Sequence, residues 1–224
     1  MRRLAYYRPW LPVCSLALVV LCGNAAAARA QAPAPAVPAA AAQPAPAPEP
    51  PPSGGAWLDA SPLPRWNTQG AAIPKPPSIE GEPLATGRCS QQVRPPDGPA
   101  DRALSAAGWT LVGPLQVFGE VSVAMAAAAA DGMCRPLGLQ AFVFVRGRFA
   151  GTLSPHPMEA RTDGVVTDVR LVSRDWVLVT YARYAPDDAL CCPSRTSSAS
   201  FSITRSPGGS VLALESVDTS PAAR

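Results

Sequence analysis

From Trp109 onward, apolar and polar residues alternate in short runs separated by glycine-containing turns, the period-two signature of β-strands. Trp109 to Phe118 is apolar but interrupted by Gly113-Pro114, which predicts a bulged or edge strand because proline cannot donate to a ladder. Val121, Val123 and Met125 alternate with Ser122 and Ala124 and predict a second strand, although the alanines that follow suit a helix equally well. Gln140–Val145 and Arg148–Leu153 flank Arg146-Gly147 and predict a tight hairpin. Phe142 and Phe144 point one way along it and Val143 and Val145 the other, so this strand is expected to be central and covered on both faces. Val165–Val172 and Trp176–Tyr184 form the next expected antiparallel pair, then Ser198–Arg205 and Ser210–Ser216 around Pro207-Gly208-Gly209. Ahead of the strands, Asp101–Ala107 reads as a short helix with Asp101 as its cap and Gly108 as its stop. The fold class is therefore mainly β: a small antiparallel meander of six or seven strands, either curled on itself or packed on that helix.

The first half is different in kind. Most of the 28 prolines fall there, and Gln31 to Pro52 is almost entirely Ala and Pro, a composition that favours extended polyproline II over a core. At about 3.1 Å per residue, the stretch from Gln31 to Pro52 is a spacer reaching up to roughly 70 Å. Residues 57–99 form a proline-rich extended arm that nonetheless carries Trp57 and Trp66. These either dock back onto the folded domain or grip a partner. The expected organisation is an export signal (1–30), a disordered tether (31–56), the arm (57–99), a β domain (100–218) and a disordered tail (219–224).

The signal is read from Arg2, Arg3 and Arg8, the apolar run Val13–Cys22, and Ala28-Arg29-Ala30 as a small-x-small cleavage site. The apolar run is well short of the ~20 residues that cross a bilayer as a helix, so no span is expected in the mature chain. Location in the periplasm or outside the cell follows. Removing Arg2, Arg3, Arg8 and Arg29 turns the formal charge from +3 to −1, which disfavours nucleic acid or an anionic membrane surface as partner. The expected partner is another envelope component, unnamed by the sequence, as is the oligomeric state.

With Cys14 and Cys22 inside the signal, four cysteines remain: Cys89, Cys134, Cys191 and Cys192. In an oxidising compartment they read as a disulfide framework with three possible connectivities. Neighbouring Cα atoms lie ~3.8 Å apart, below the usual range for a bridge, so a Cys191–Cys192 bond is disfavoured. Cys191 and Cys192, pointing to opposite faces, are expected instead to tie down the arm at Cys89 and the turn at Cys134, in an order left open. A redox switch at the vicinal pair is the functional alternative, without a Cys-x-x-Cys motif to support it. Zinc spacing is absent, and no metal or cofactor is expected.

No coherent catalytic set stands out. His156, the one histidine, sits in the rigid turn Ser154-Pro155-His156-Pro157. A hydrolase would pair it with Ser154 or Ser194 and orient it with Asp163, but no nucleophile elbow accompanies it, and a solvated loop histidine is the plainer reading. Asp131-Gly132, Asp163-Gly164 and Asp187-Asp188 fit turns, and neither a calcium loop nor a phosphate-cradling glycine loop is present. Arg146, Arg148, Arg161, Arg170, Arg174 and Arg183 suit either a salt-bridged surface or an acidic partner.

Several strings together resemble the LppP/LprE-like family of bacterial envelope proteins: 129–138 (AADGMCRPLG), 147–155 (GRFAGTLSP), Arg161-Thr162-Asp163-Gly164, Arg183-Tyr184 with Asp187, and Leu190-Cys191-Cys192-Pro193-Ser194. The likeness covers Leu104 to Val217. It implies a β-rich domain with a Gly-Thr hairpin strand and a late Cys-Cys-Pro-Ser segment, an envelope location, and no settled activity. It also implies lipidation, which this sequence disfavours: Leu21 precedes Cys22 where a small residue is expected, and cleavage after Ala30 removes Cys22.

Overall fold

The computed structural model describes residues 54–222. The expected signal with Cys22, nearly all of the tether, and residues 223–224 lie outside the described residues.

Among the described residues ten strands form, all pairings antiparallel. The first sheet has the order β1 (Thr110–Phe118), β2 (Val121–Ala127), β5 (Gln140–Val145), β6 (Arg148–Thr152). The second has the order β10 (Gly209–Pro221), β9 (Arg195–Ser206), β8 (Trp176–Arg183), β7 (Val166–Leu171). A two-residue ribbon, β3 (Ala129–Ala130) with β4 (Pro136–Leu137), interrupts the path between β2 and β5. The chain is thus mainly β and antiparallel, as its alternation predicts, but its strands divide between two sheets. Period two assigns side chains to faces; it does not say where the connection from Leu153 to Val165 leads, and here it leads to the second sheet.

The two sheets face each other across one core. Val121, Val123, Val143 and Val145 meet Val177, Val179, Tyr181, Phe201 and Ile203 there. The opposite face of β5 carries Phe142 and Phe144 into a second cluster with Leu104, Trp109, Leu111, Ala124 and Ala126. Ala124 stands opposite Phe142 in the β2–β5 register; its small side chain leaves room for the ring, and helix α1 (Pro99–Ala106) packs above. Every residue of β5 is buried, as a strand apolar on both faces requires. In β9, Ser197, Ala199, Phe201 and Ile203 turn inward and their neighbours outward. The bulge expected at Gly113-Pro114 is a register shift between Val112 and Gln116. Gln116 then reaches across to β7, donating to the Val169 carbonyl at 2.6 Å and accepting from the Leu171 N–H at 2.8 Å.

Two local expectations change. Asp101 does not cap α1; Gly98 does, with φ of 120° and Pro99 at the first helical position. Asp101 is instead fully buried in the first turn, holding Arg94 Nη2 at 2.8 Å and the Asp97 N–H at 2.8 Å. At the other end, β10 continues through Pro221, where a disordered tail from 219 was expected, because Thr219 and Ser220 still have β9 partners in Ser197 and Thr196.

The arm packs against the domain. Trp57 is 1% exposed and meets Trp66 and Tyr181 edge-on, each at 5.2 Å. Trp66 Nε1 donates to Thr152 Oγ1 at 3.1 Å. Asn67 completes the edge of β6, its Nδ2 donating to the Thr152 carbonyl at 3.0 Å and its Oδ1 accepting the Thr152 N–H at 2.8 Å. An otherwise open strand edge is covered in this way. Gly151 permits it: a Cβ there would stand 2.5 Å from Asn67 Cγ, on a backbone with φ of 151°. Farther along, Glu82 pairs with Ala130 by two backbone hydrogen bonds of 2.7 and 2.9 Å. Docking of both tryptophans is therefore the reading the structure takes.

Candidate functional site

A charged side chain at the end of an apolar strand needs partners, and Arg183, last residue of β8 and 2% exposed, has them on three sides. Its Nη2 donates to Asp59 Oδ2 at 2.5 Å and its Nη1 to Asp59 Oδ1 at 3.1 Å, a two-pronged grip on the arm. Nε donates to Asp163 Oδ1 at 2.9 Å, and Nη1 to Ser197 Oγ on β9 at 3.0 Å. Asp163 also accepts the Tyr184 N–H at 2.8 Å. Hydrogen bonding to Arg183, reinforced by its charge and partly opposed by burial, holds the Asp59 carboxyl below its ordinary range. Gly55 and Gly164 let the two segments meet: a Cβ on Gly164 would lie 2.5 Å from the Gly55 Cα. Asp163-Gly164, which reads as plain turn chemistry, is thus half of a latch that joins the arm to the second sheet.

Beyond Tyr184 the chain enters the loop 185–194. Asp188 organises it, its Oδ2 accepting the Ala185 N–H at 2.7 Å, the Ser194 N–H at 2.9 Å and the Ser194 hydroxyl at 2.8 Å. The backbone N–H groups of Ala185 and Ser194 are the main causes that lower the Asp188 pKa. Tyr184 Oη donates to the Leu190 carbonyl at 3.2 Å. On the loop's crest stand Cys191 and Cys192, both exposed, beside Leu190 at 64% exposed.

The cysteines pair otherwise than expected. Cys89 joins Cys134, their Cα atoms 5.1 Å apart, and Cys191 joins its neighbour Cys192. The late cysteines therefore do not stitch the arm and the turn. The arm itself arrives beside Cys134, because Glu82 pairs with Ala130, and Asp131 fixes the turn by accepting the Met133 and Arg135 N–H groups at 2.8 and 2.9 Å. With that bond made, Cys191 and Cys192 have each other.

The nominated hydrolytic groups are held in structural roles. Ser154 is fully buried, its Oγ 2.5 Å from Gln140 Oε1 and 2.8 Å from the backbone carbonyl of His156. Asp163 belongs to Arg183, and Ser194 belongs to Asp188. Among the described residues no group of three or more His, Cys, Asp or Glu side chains is placed to hold a metal ion. Asp59, at the start of a proline-rich arm, carries one signal in the sequence, its place two residues after Trp57.

The fold defines an antiparallel two-sheet β domain braced by its own N-terminal arm. Residues 118–206, from the end of β1 to the end of β9, match the model of the LppP/LprE lipoprotein family, and over this region the chain is similar to that family. The matched stretch contains Gly151-Thr152, where the arm covers β6, Asp163 and Arg183 of the latch, and the Cys191–Ser194 loop crest. The match points to an envelope protein and to no particular activity. No curated protein and no solved structure matches the chain. Among the described residues no helix is long and apolar enough to cross a membrane.

Proposed function

We propose that this chain is an exported envelope protein whose β domain is a non-catalytic module that binds or supports another envelope component. The observation that carries this is the use of Ser154, Asp163 and Ser194 as fixed struts of the fold, each held by a hydrogen bond or ion pair within it: Ser154 by Gln140, Asp163 by Arg183 and Ser194 by Asp188. In this reading the signal is cleaved after Ala30, Cys22 leaves with it, and the Pro/Ala tether carries a domain whose arm is latched at Asp59 and bonded at Cys89. Crosslinking in intact cells followed by mass spectrometry tests it. A reproducible envelope partner is expected, and recovery of none overturns the reading.

A second reading is favoured by one observation: Cys191 and Cys192 are bonded to each other on an exposed loop, open to reductants. In it the pair is a thiol switch. Mass mapping of unreduced peptides from cells under oxidising and reducing conditions is expected to show the pair alone changing state; a pair bridged under both sinks this reading.

A further inference from the structure

At the end of the sandwich where the β5–β6 and β9–β10 turns come together lies an open cleft of about 480 Å³, lined among others by Glu120, Arg146, Arg148, Arg205 and Ser210. Its charge does not balance. Three guanidinium groups face one carboxylate, Glu120, which already accepts Arg146 Nε at 2.5 Å and Arg205 Nε at 3.2 Å. Arg205 is further oriented by Asp175 and by the Arg174 carbonyl. Arg148 is exposed and, among the described residues, has no ion-pair or hydrogen-bond partner for its side chain, and the Ser210 hydroxyl has no acceptor among them either.

The turn that carries Arg146 adds an independent sign. Arg146 and Gly147 have φ of 53° and 73°, the two-residue hairpin turn that ordinarily takes Asn, Asp or Gly at both positions. A long cationic side chain there accepts a left-handed backbone that other residues adopt with less strain, and such outliers concentrate where a ligand is held. The Arg146 N–H is fixed on the Glu120 carbonyl at 2.7 Å, so the guanidinium starts from a rigid base.

We propose that this cleft binds a phosphate ester, with Arg146, Arg148 and Arg205 as its guanidinium clamp and Ser210 as a hydroxyl donor. The planar fork of arginine matches phosphate oxygens in pairs. A phosphate monoester carries about −1.5 to −2 charge at neutral pH, which more than offsets the one positive charge that Arg148 leaves over once Glu120 and Asp175 are paired with Arg146 and Arg205. The volume exceeds that of a bare anion and falls within the range of small-ligand sites, roughly 300–1,000 Å³, so an organic moiety fits beside the phosphate. The same chemistry is offered by a soluble phosphate ester and by a phospholipid head group. The proposal rests on the binding-module reading and names what that module recognises.

The test uses the purified chain with two phosphate-monoester probes at low ionic strength: glycerol 3-phosphate, followed by calorimetry, and vesicles of phosphatidic acid in phosphatidylcholine, followed by co-sedimentation. Arg148→Glu is expected to weaken binding at least tenfold with unchanged thermal unfolding, since Arg148 supports nothing in the fold, while Arg170→Glu on exposed β7 leaves it intact. Binding of glycerol 3-phosphate alone assigns a soluble ester; binding of vesicles alone assigns a head group. Binding of neither probe, or equal losses in Arg148→Glu and Arg170→Glu, overturns the site. An envelope partner still crosslinked by the Arg148→Glu chain would then leave the binding module standing without its phosphate.

Discussion

Arg183 and Asp59 lie 124 residues apart in the chain and meet in a two-pronged ion pair, which makes the arm part of the folded domain. Arg183 is the buried partner and Asp59 the more exposed one, at 2% and 57% of their side chains, so removing them has unequal effects. Arg183→Ala strands Asp163 and Ser197 together with Asp59. The carboxylates left behind reach solvent, so the loss is that of the charged hydrogen bonds, about 1.5–3 kcal/mol, and urea unfolding is expected to show a loss of that order. Asp59→Asn keeps hydrogen bonding to Arg183 and leaves Asp163 as counter-ion, so its loss is expected to stay near or below about 1 kcal/mol. Equal losses would mean that the latch is not centred on Arg183.

Gly164 tests the close approach itself. A methyl group there meets the Gly55 Cα at 2.5 Å, on a backbone with φ of 84°. Overpacking of this kind costs about 1–3 kcal/mol, and here the strain falls on one contact. Gly164→Ala is expected to make the segment around Gly54–Asp59 sensitive to limited proteolysis while the near-ultraviolet signal of the sheets is retained. Wild-type resistance of the arm would show that the segments separate without consequence.

The two cysteine pairs are expected to differ in stability. The Cys89–Cys134 bond closes a loop with a sequence separation of 45, worth about 4 kcal/mol in the chain-entropy model. A bond between neighbours closes almost no chain. Replacing Cys89 and Cys134 by serine should therefore lower the urea midpoint markedly, and replacing Cys191 and Cys192 should leave it nearly unchanged. The reverse order would show that the loop crest, not the arm, carries covalent stability.

Acid should open the 185–194 loop. Asp188 has its pKa lowered by the hydrogen bonds it accepts from Ala185 and Ser194. A carboxyl depressed in the folded state contributes its full stabilisation above its unfolded pKa of about 3.9 and loses it as pH falls through the lower folded value. Amide exchange at Ala185 and Ser194, compared with its intrinsic rate, is expected to be slow at neutral pH and to quicken below about pH 4. Asp188→Asn should shift both amides toward faster exchange at neutral pH. Unchanged protection across that range would remove Asp188 from the loop's support.

The strands were legible because one side-chain period governs them: Phe142 against Val143, and Phe201 and Ile203 against Ser200 and Ser202, announce their faces before any contact is known. The division into two sheets was not, since it depends on the course of the connection from Leu153 to Val165, whose residues carry no periodic signal. Asp101 looked like a cap because capping residues are recognised by type, yet Gly98 supplied the needed backbone and Arg94 claimed the carboxylate. The cysteine pairing depended on where the arm lands beside Ala130, a long-range contact invisible along the chain. Arg183 could be noticed, as a charge closing an apolar strand, but Asp59 could not be matched to it without the fold.

The bond at Cys89 also sets how the molecule answers tension. A pull applied at Gly54 first loads the grip of Arg183 on Asp59, then peels Trp57 and Trp66 from the sheets, and ends at a covalent stop. The slack released before that stop is the chain between Gly54 and Cys89, about 120 Å when fully drawn out at ~3.4 Å per residue. Extension beyond it must break strands rather than unwind the arm.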